Sequence, residues 1–421
     1  MKRLLLTVCA SVLVAACGEE TPTGVGQILL PGESIETFEV ILEADQYLVW
    51  DSSFGNYSRP SEVDLGILAN AWGGSVDARV IVRYTLPRNI RVRVAGGSEQ
   101  PDSLPLWFEG DIQIPMDTLV SPSGELSLHR STETWDRESA TWTLRVDTGG
   151  VALPWAVPGG SPGELAGTVA WATATDTAVL PVDSATIVAW ADTTLAAGGG
   201  VISAGLPGTR MRIGPPLLRA RARSTLNPDT VVEVTLTPIH TFIFTPVLEP
   251  QSSDIRVGGV PAWRGVLRFR EDLDSITVPC PGEPGCRVRL DQVGVNFAAI
   301  QLQPVPSPAG FDPELPLEVA LHLMLPTPNV PLQRSPISNP IAGTAEIPGS
   351  TFLAPGAPIV ELGVTEVMRQ AFEALVEGGP APVTSVALLQ SDTRTTFGFG
   401  TFAERPRLRL ILTITKEMQL P

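Results

Sequence analysis

The 421-residue sequence predicts an all-β protein: two tandem antiparallel jelly-roll-like β-sandwiches, with a short helix in the second. Three observations predict it. Short runs alternate apolar and polar residues, as in 79–84, 217–223, 266–270 and 408–414, and Gly, Pro, Asn or Asp bound them. Such runs read as antiparallel strands with one buried face. Gly and Pro number 39 and 40, about a fifth of the chain, which suits turn-rich β structure. Four segments also recur in order at a spacing near 190 residues.

From the start of the chain, Lys2 and Arg3 form a positive n-region, and residues 4–14 are apolar. That stretch is too short to span a bilayer and reads as a signal-peptide core. It ends in Val14-Ala15-Ala16-Cys17, small residues before a cysteine that resemble the lipobox of bacterial lipoproteins. The resemblance implies a signal peptide over 1–16 and lipid on the Cys17 thiol. Each buried methylene then contributes about 0.8 kcal/mol, and two or more acyl chains hold a protein stably on a membrane. Gly18 stands where enteric lipoproteins of the inner membrane carry aspartate, which implies the outer membrane, on its periplasmic face or at the cell surface. Residues 17–33 are partly Gly/Pro/Thr-rich and read as a lipidated tether.

The repeats define the rest. Glu39-Val40-Ile41-Leu42 matches Glu233-Val234-Thr235-Leu236, and Tyr47 to Trp50 matches Thr241 to Phe244. Asp64-Leu65-Gly66-Ile67 matches Asp254-Ile255-Arg256-Val257, and Val82-Arg83-Tyr84 matches Leu267-Arg268-Phe269. Pro216-Leu217-Leu218-Arg219 matches Pro406-Arg407-Leu408-Arg409. Two modules follow, 34–226 and 229–417, joined by Ser224-Thr225-Leu226-Asn227-Pro228. Val364, Val367, Met368, Ala371 and Leu375 have helical spacing, and Gly378-Gly379-Pro380 stops the run. Residues 185–197 are the counterpart in the first module.

Cys280 and Cys286 enclose Pro-Gly-Glu-Pro-Gly. An exported chain permits a disulfide, which would pin a hairpin tip. Zinc is the alternative, but it needs two more ligands and no histidine lies nearby.

Further residues resemble the DNRLRE-type domains. Residues 131–142, STETWDRESATW, are similar to their W-x-E-x-x-x-T-W signature. Asp51-Ser52-Ser53-Phe54-Gly55-Asn56-Tyr57 resembles their D…N-Y-G segment, with Ser58 in place of glycine. Residues 360–375, 386–389 and 405–409 resemble their closing pattern, with Gly363 in place of aspartate. The second module lacks the Asn-Tyr and Thr-Trp segments. The resemblance covers most of the first module and the C-terminal half of the second. It implies jelly-roll-like sandwiches on a bacterial surface protein, some relatives being carbohydrate-binding modules, and a non-catalytic role.

The chemistry narrows accordingly. A net charge of −16 with only two lysines, Lys2 and Lys416, excludes a nucleic-acid partner. Gly159-Gly160-Ser161-Pro162-Gly163 fits the G-x-S-x-G spacing of a nucleophile elbow, but Pro162 has no N–H for an oxyanion, so it reads as a loop. No H-E-x-x-H, P-loop, dinucleotide or EF-hand pattern occurs, and His129, His240 and His322 sit in strand-like runs. Sugar binding needs aromatic faces and polar side chains. Trp72, Trp107, Trp135, Trp142, Trp155, Trp171 and Trp190 fall in the first module, against Trp263 in the second. Asn56, Tyr57, Trp72, Trp107, Trp135 and Trp142 are the candidate ligand residues. Tyr57, Trp72 and Trp107 flank turns and are the better exposed, whereas Trp135 and Trp142 read first as core. Asp51, Asn56 and Asp64 are candidate ligands for structural calcium. The expected function is polysaccharide binding by a lipid-anchored envelope protein. The alternative is a structural or assembly role, docking envelope proteins without a glycan ligand.

Overall fold

The computed structural model describes residues 35–415, apart from 56–59, 63–64, 73–75, 95–96, 117–122, 149, 173–174, 193–198, 247–252, 271–272, 281–282, 308–314, 325–334, 342–343, 377–384 and 392–397. The signal, the tether, Cys17, Asn56, Tyr57 and Asp64 lie outside the described residues. Strands run in order as β1 (Ile35–Leu42), β2 (Leu48–Phe54), β3 (Gly66–Trp72), β4 (Val76–Arg83), β5 (Ile90–Arg93), β6 (Glu99–Asp102), β7 (Leu106–Pro115), β8 (Ser123–Ser131), β9 (Leu144–Thr148) and β10 (Val151–Pro154). There follow β11 (Leu165–Ala172), β12 (Thr177–Val182), β13 (Gly199–Ala204), β14 (Thr209–Ile213), β15 (Leu217–Arg223), β16 (Val231–Leu236), β17 (Ile239–Phe244), β18 (Ile255–Gly258), β19 (Arg264–Phe269) and β20 (Ser275–Cys280). The last are β21 (Glu283–Arg289), β22 (Gly294–Leu302), β23 (Pro304–Val305), β24 (Leu317–Met324), β25 (Ile337–Pro340), β26 (Ala345–Ile347), β27 (Val360–Gly363), β28 (Ser385–Gln390), β29 (Phe399–Phe402) and β30 (Arg407–Thr415). The α-helices are α1 (Ala44–Tyr47), α2 (Ser184–Ala191) and α3 (Thr365–Val376). The protein is all-β with antiparallel sheets.

Alternation makes the strands two-faced. β12 reads exposed, buried, exposed, buried along its length, and β15 buries Leu218, Ala220 and Ala222 while its arginines face out. In the first unit the sheet β12-β7-β15-β16 packs on a larger sheet, β11-β8-β13-β4-β3-β14, with β17 added to β4. Ile112, Ile114, Leu180 and Leu218 from the small sheet meet Val80, Val82, Leu126, Leu128 and Phe242 from the large one. The helix α2 seals one side. Asp183 caps it by accepting the Thr186 N–H at 2.7 Å, and Ile187 and Trp190 are buried beneath it. The first sandwich thus has its own α-helix.

In the second unit the sheet β1-β30-β22-β27 packs on β2-β19-β28-β24-β25, in which β26 also joins β24, and on the small sheet β18-β29-β23. Val40, Leu42, Ile300, Leu408, Leu410 and Leu412 come from the first of these sheets. They share one core with Leu267 on β19, with Leu317, Val319 and Leu321 on β24, and with Val386 and Leu388 on β28. The helix α3 lies where the helical spacing predicts it, with Val364, Val367 and Met368 buried against the same core.

The module boundaries need correction. The contiguous halves 34–226 and 229–417 are not the folded units. β1 pairs with β30, from Ile35 opposite Thr415 to Leu42 opposite Leu408, and β2 pairs with β19. β16 and β17 instead pair with β15 and β4. The first unit therefore runs through β17, while the second runs from β18 to β30 and is closed by residues 35–54, an arch whose strands β1 and β2 join the two facing sheets. The repeats explain the arrangement: β1 lies on β30 as β16 lies on β15, and β2 lies on β19 as β17 lies on β4. Alternation identifies a strand and its buried face, but it does not encode which distant strand becomes the partner.

Two tyrosines repeat the same bond. The Tyr84 hydroxyl donates to the Pro216 carbonyl at 2.6 Å, and the Tyr47 hydroxyl donates to the Pro406 carbonyl at 2.8 Å. Phe269, the sequence counterpart of Tyr84, lacks the hydroxyl; its ring packs on Tyr47 with centres 6.1 Å apart. The incoming segment 35–54 thus supplies the missing donor. Burial pushes both phenols well above their ordinary pKa.

Residues 224–228 do not join two units but turn the chain from β15 into β16. Buried Asp102 fixes this turn by accepting the Ser224 hydroxyl at 2.8 Å, the Thr225 hydroxyl at 2.7 Å, the Thr225 N–H and the Leu104 N–H. Burial opposes its ionisation, but the Thr225 hydroxyl and the other donors outweigh burial and hold the carboxyl well below the usual carboxylate range. Because the folded pKa is depressed, this stabilisation is present above the unfolded value of about 3.9 and is lost as pH falls through the folded value. Asp102→Asn should cost about 2 kcal/mol at pH 7. Urea unfolding should show the wild-type advantage shrinking below about pH 4; an equal advantage at every pH would contradict the charge-based account.

Candidate functional site

The outer face of the larger sheet in the first unit carries the most elaborate side-chain arrangement among the described residues. Ile81, Val201 and Ile243, from β4, β13 and β17, make an apolar strip on that face. Residues 132–163 fold over it as a cap, burying Trp135, Ala140 and Trp155 and packing Trp142 alongside. Trp155 Nε1 donates to the Thr141 carbonyl at 2.9 Å, and Arg145 donates to the Thr134 carbonyl at 2.8 Å. Arg79 donates to the Gly159 carbonyl at 2.9 Å and lies 4.9 Å from the Trp142 ring centre, while Arg83 lies 5.4 Å from that of Trp135. Burial lowers the pKa of Arg79. The Thr-Trp segment is therefore a cap stabilised by buried rings and cation–π contacts.

Ser161 belongs to the same cap. It has φ +47°, and its hydroxyl donates to Glu133 and accepts the Val157 N–H at 3.0 Å. Glu133 also accepts the Ala156 N–H. The carboxylate and hydroxyl tie the loop to the cap's start. His129 Nδ1 is 3.1 Å from the Gly163 carbonyl, and His322 Nδ1 is 2.8 Å from the Ser338 carbonyl.

The second unit has a smaller counterpart. Val266, Met324, Ala387 and Leu389 form an outer cluster with Trp50, Phe54 and Ile337. Arg264 is fully buried and donates to the Ser335 carbonyl at 3.3 Å. The offset that matches Val82-Arg83-Tyr84 to Leu267-Arg268-Phe269 also matches Arg79 to Arg264. This pair of arginines, each reaching the backbone above its sheet, is legible in the repeat, although neither composition nor motif singles it out.

The candidate ligand residues do not share one face. The turn beside Trp107 predicts an exposed ring, but Trp107 is only 7 % exposed and lies in the core between the sheets, whereas its neighbour Leu106 is 61 % exposed. Strand alternation decides which of the two faces inward. Trp135 is buried and Trp142 half-buried within the cap. Trp72 is half-buried on β3 with the Arg210 guanidinium 4.2 Å from its ring centre, and its Nε1 has no partner among the described residues. Of the calcium candidates, Asp51 sits on β2 and accepts the Arg405 N–H at 3.3 Å. Burial raises its pKa. Asn56 and Asp64 are outside the described residues. No group of three or more His, Cys, Asp or Glu side chains suited to a metal occurs among the described residues.

The outer faces of the small sheets carry matched charges. Arg219 pairs with Asp111 at 2.9 Å, and Arg221 pairs with Glu109 and Glu233 at 3.0 Å each. In the second unit Arg409 pairs with Glu39 at 2.7 Å and Glu361 at 3.2 Å. Water and salt screen the more exposed of these pairs, so those add little to stability, whereas Asp111 is part-buried and holds Arg219 through two guanidinium nitrogens. Their effect on recognition is larger, because the acids neutralise these arginines and weaken any attraction for an anionic partner there.

No helix among the described residues is long and apolar enough to cross a membrane. No family model matches the chain, and no curated protein matches it. Among solved structures, one alignment is to the "Structure of infectious bursal disease virus Gt strain", at 10 % identity and a TM-score of 0.13, covering 91 % of this chain and 74 % of that one. A likeness at that score carries no argument about fold or function.

Proposed function

We propose that the chain is a non-catalytic, lipid-anchored protein of the bacterial cell envelope whose two β-sandwich units dock other envelope proteins. The lipobox-like Val14-Ala15-Ala16-Cys17 supports the anchor. The observation that favours docking over sugar binding is the burial of Trp107 and Trp135, since a sugar platform needs exposed rings. Cross-linking on intact cells should recover reproducible protein partners, and Cys17→Ala should move the protein out of the membrane fraction and lose them. A Cys17→Ala protein that stays with membranes and keeps its partners would contradict this reading.

A polysaccharide ligand is the second reading, favoured by Trp72, whose ring is only half-buried. Affinity gels containing a bound polysaccharide should then lose about tenfold in retention on Trp72→Ala, equivalent to ~1.4 kcal/mol. Unchanged retention would remove Trp72 from the site.

Cys280 and Cys286 are proposed to form a disulfide. The support is the β20–β21 hairpin, which puts the two cysteines on neighbouring antiparallel strands, Cys280 two residues along β20 from the residue opposite Cys286. Alkylation without reductant should leave both cysteines unmodified by peptide mass, and alkylation of either would contradict the pairing.

A further inference from the structure

The arch of residues 35–54, whose two strands enter different sheets, closes a unit to which it is not adjacent in sequence. Its counterpart, β16–β17, closes the first unit while following directly from β15. The two arches occupy equivalent places on β30/β19 and on β15/β4. They also repeat an ion pair, Glu39 with Arg409 and Glu233 with Arg219. The same docking geometry is therefore reached whether the arch follows directly from a strand of the unit it closes, as β16 follows β15, or is joined to it only through the whole of the other unit, as β1–β2 is. The contacts that seat it are strand pairing, the Tyr47 hydroxyl on Pro406, and burial of Val40, Leu42 and Leu48.

From this we propose that the second unit accepts the 35–54 arch of a second copy of this chain, giving a strand-exchanged oligomer. Every contact that closes the unit within one chain is made identically between two chains, so exchange changes the connection and not the interface. The arch reaches the first unit through residues 55–65, a length of chain that can span at most about 40 Å. Closure within one chain has an effective concentration in the millimolar range, so exchange becomes appreciable where chains are crowded or refold together.

The test uses two full-length variants, Thr37→Cys and Thr413→Cys. These positions face each other across β1 and β30. The two proteins are mixed in partial denaturant at high concentration and returned to native buffer under oxidising conditions. The expected result is a dimer on size exclusion that contains the 37–413 linked peptide, at least about tenfold above its level in proteins mixed only after refolding. The double variant Thr37→Cys/Thr413→Cys, refolded dilute, should form the same link within a monomer. An intrachain link in the double variant with no interchain 37–413 link in the mixture overturns the proposal. A double variant that folds but forms no link overturns the register on which it rests. A dimer lacking the 37–413 peptide assigns association to another surface and also overturns it.

Discussion

Deleting residues 35–54 should unfold the second unit and leave the first folded. The deletion removes β1, α1 and β2, and with them the buried side chains of Val40, Leu42, Ala44, Tyr47 and Leu48. Burying a large apolar side chain contributes about 1.5–3 kcal/mol, so the lost burial is on the order of 10 kcal/mol. A whole domain is stable by only about 5–15 kcal/mol. The deletion also uncovers the edge of β30 and the flank of β19, whose backbone groups then compete for any available strand. Hydrogen exchange should show β22, β24, β28 and β30 losing protection while β4, β8 and β13 keep theirs. Retained protection in β22 and β28 would mean that the arch is peripheral to the second fold.

Gly167→Ala should be the most damaging single methyl in the first unit. A Cβ there would lie 1.8 Å from the Pro181 carbonyl oxygen and 2.9 Å from its carbon. These are backbone atoms of β12, so no side chain can rotate away to make room. The strands β11 and β12 must separate, which also disturbs the bond from the Asp183 N–H to the Ala166 carbonyl at 2.9 Å. Overpacking usually costs about 1–3 kcal/mol, and a clash with fixed backbone belongs at or above the upper end. For a unit of this size that corresponds to a fall of roughly 6–12 °C in Tm. Gly363→Ala is the control, because nothing lies within 4 Å of the added methyl. Calorimetry that finds equal melting temperatures for the two variants would refute the steric argument.

Strands are legible in the sequence where one face is apolar and the other polar. Residues 217–223 coincide with β15, and residues 408–414 lie within β30. The helix α3 is legible for the same reason, through a spacing of three and four residues. Pairing is not legible, because β1 finds its partner at the far end of the chain and local periodicity carries no information about that distance. The fate of individual tryptophans is only partly legible. Trp135 and Trp142 lie seven apart, and residues 136–140 form the turn between them, with the Ala140 N–H bonded to the Asp136 carbonyl at 2.9 Å. For Trp107 a neighbouring turn suggests exposure, whereas its parity within β7 puts it inside. Trp107 consequently lies in the core and Trp135 and Trp142 in the cap, a division that turn proximity alone does not reveal.

The joining of β1 to β30 also sets how the molecule responds to force. Any tension transmitted from the residues before Ile35 enters at an edge strand, opposite Thr415. The hydrogen bonds of an antiparallel ladder run across the strands. A pull along β1 therefore shears the paired residues together, whereas a sideways pull opens them one after another. The second unit meets that tension first, and its mechanical strength depends on the direction of the pull as well as on the number of bonds.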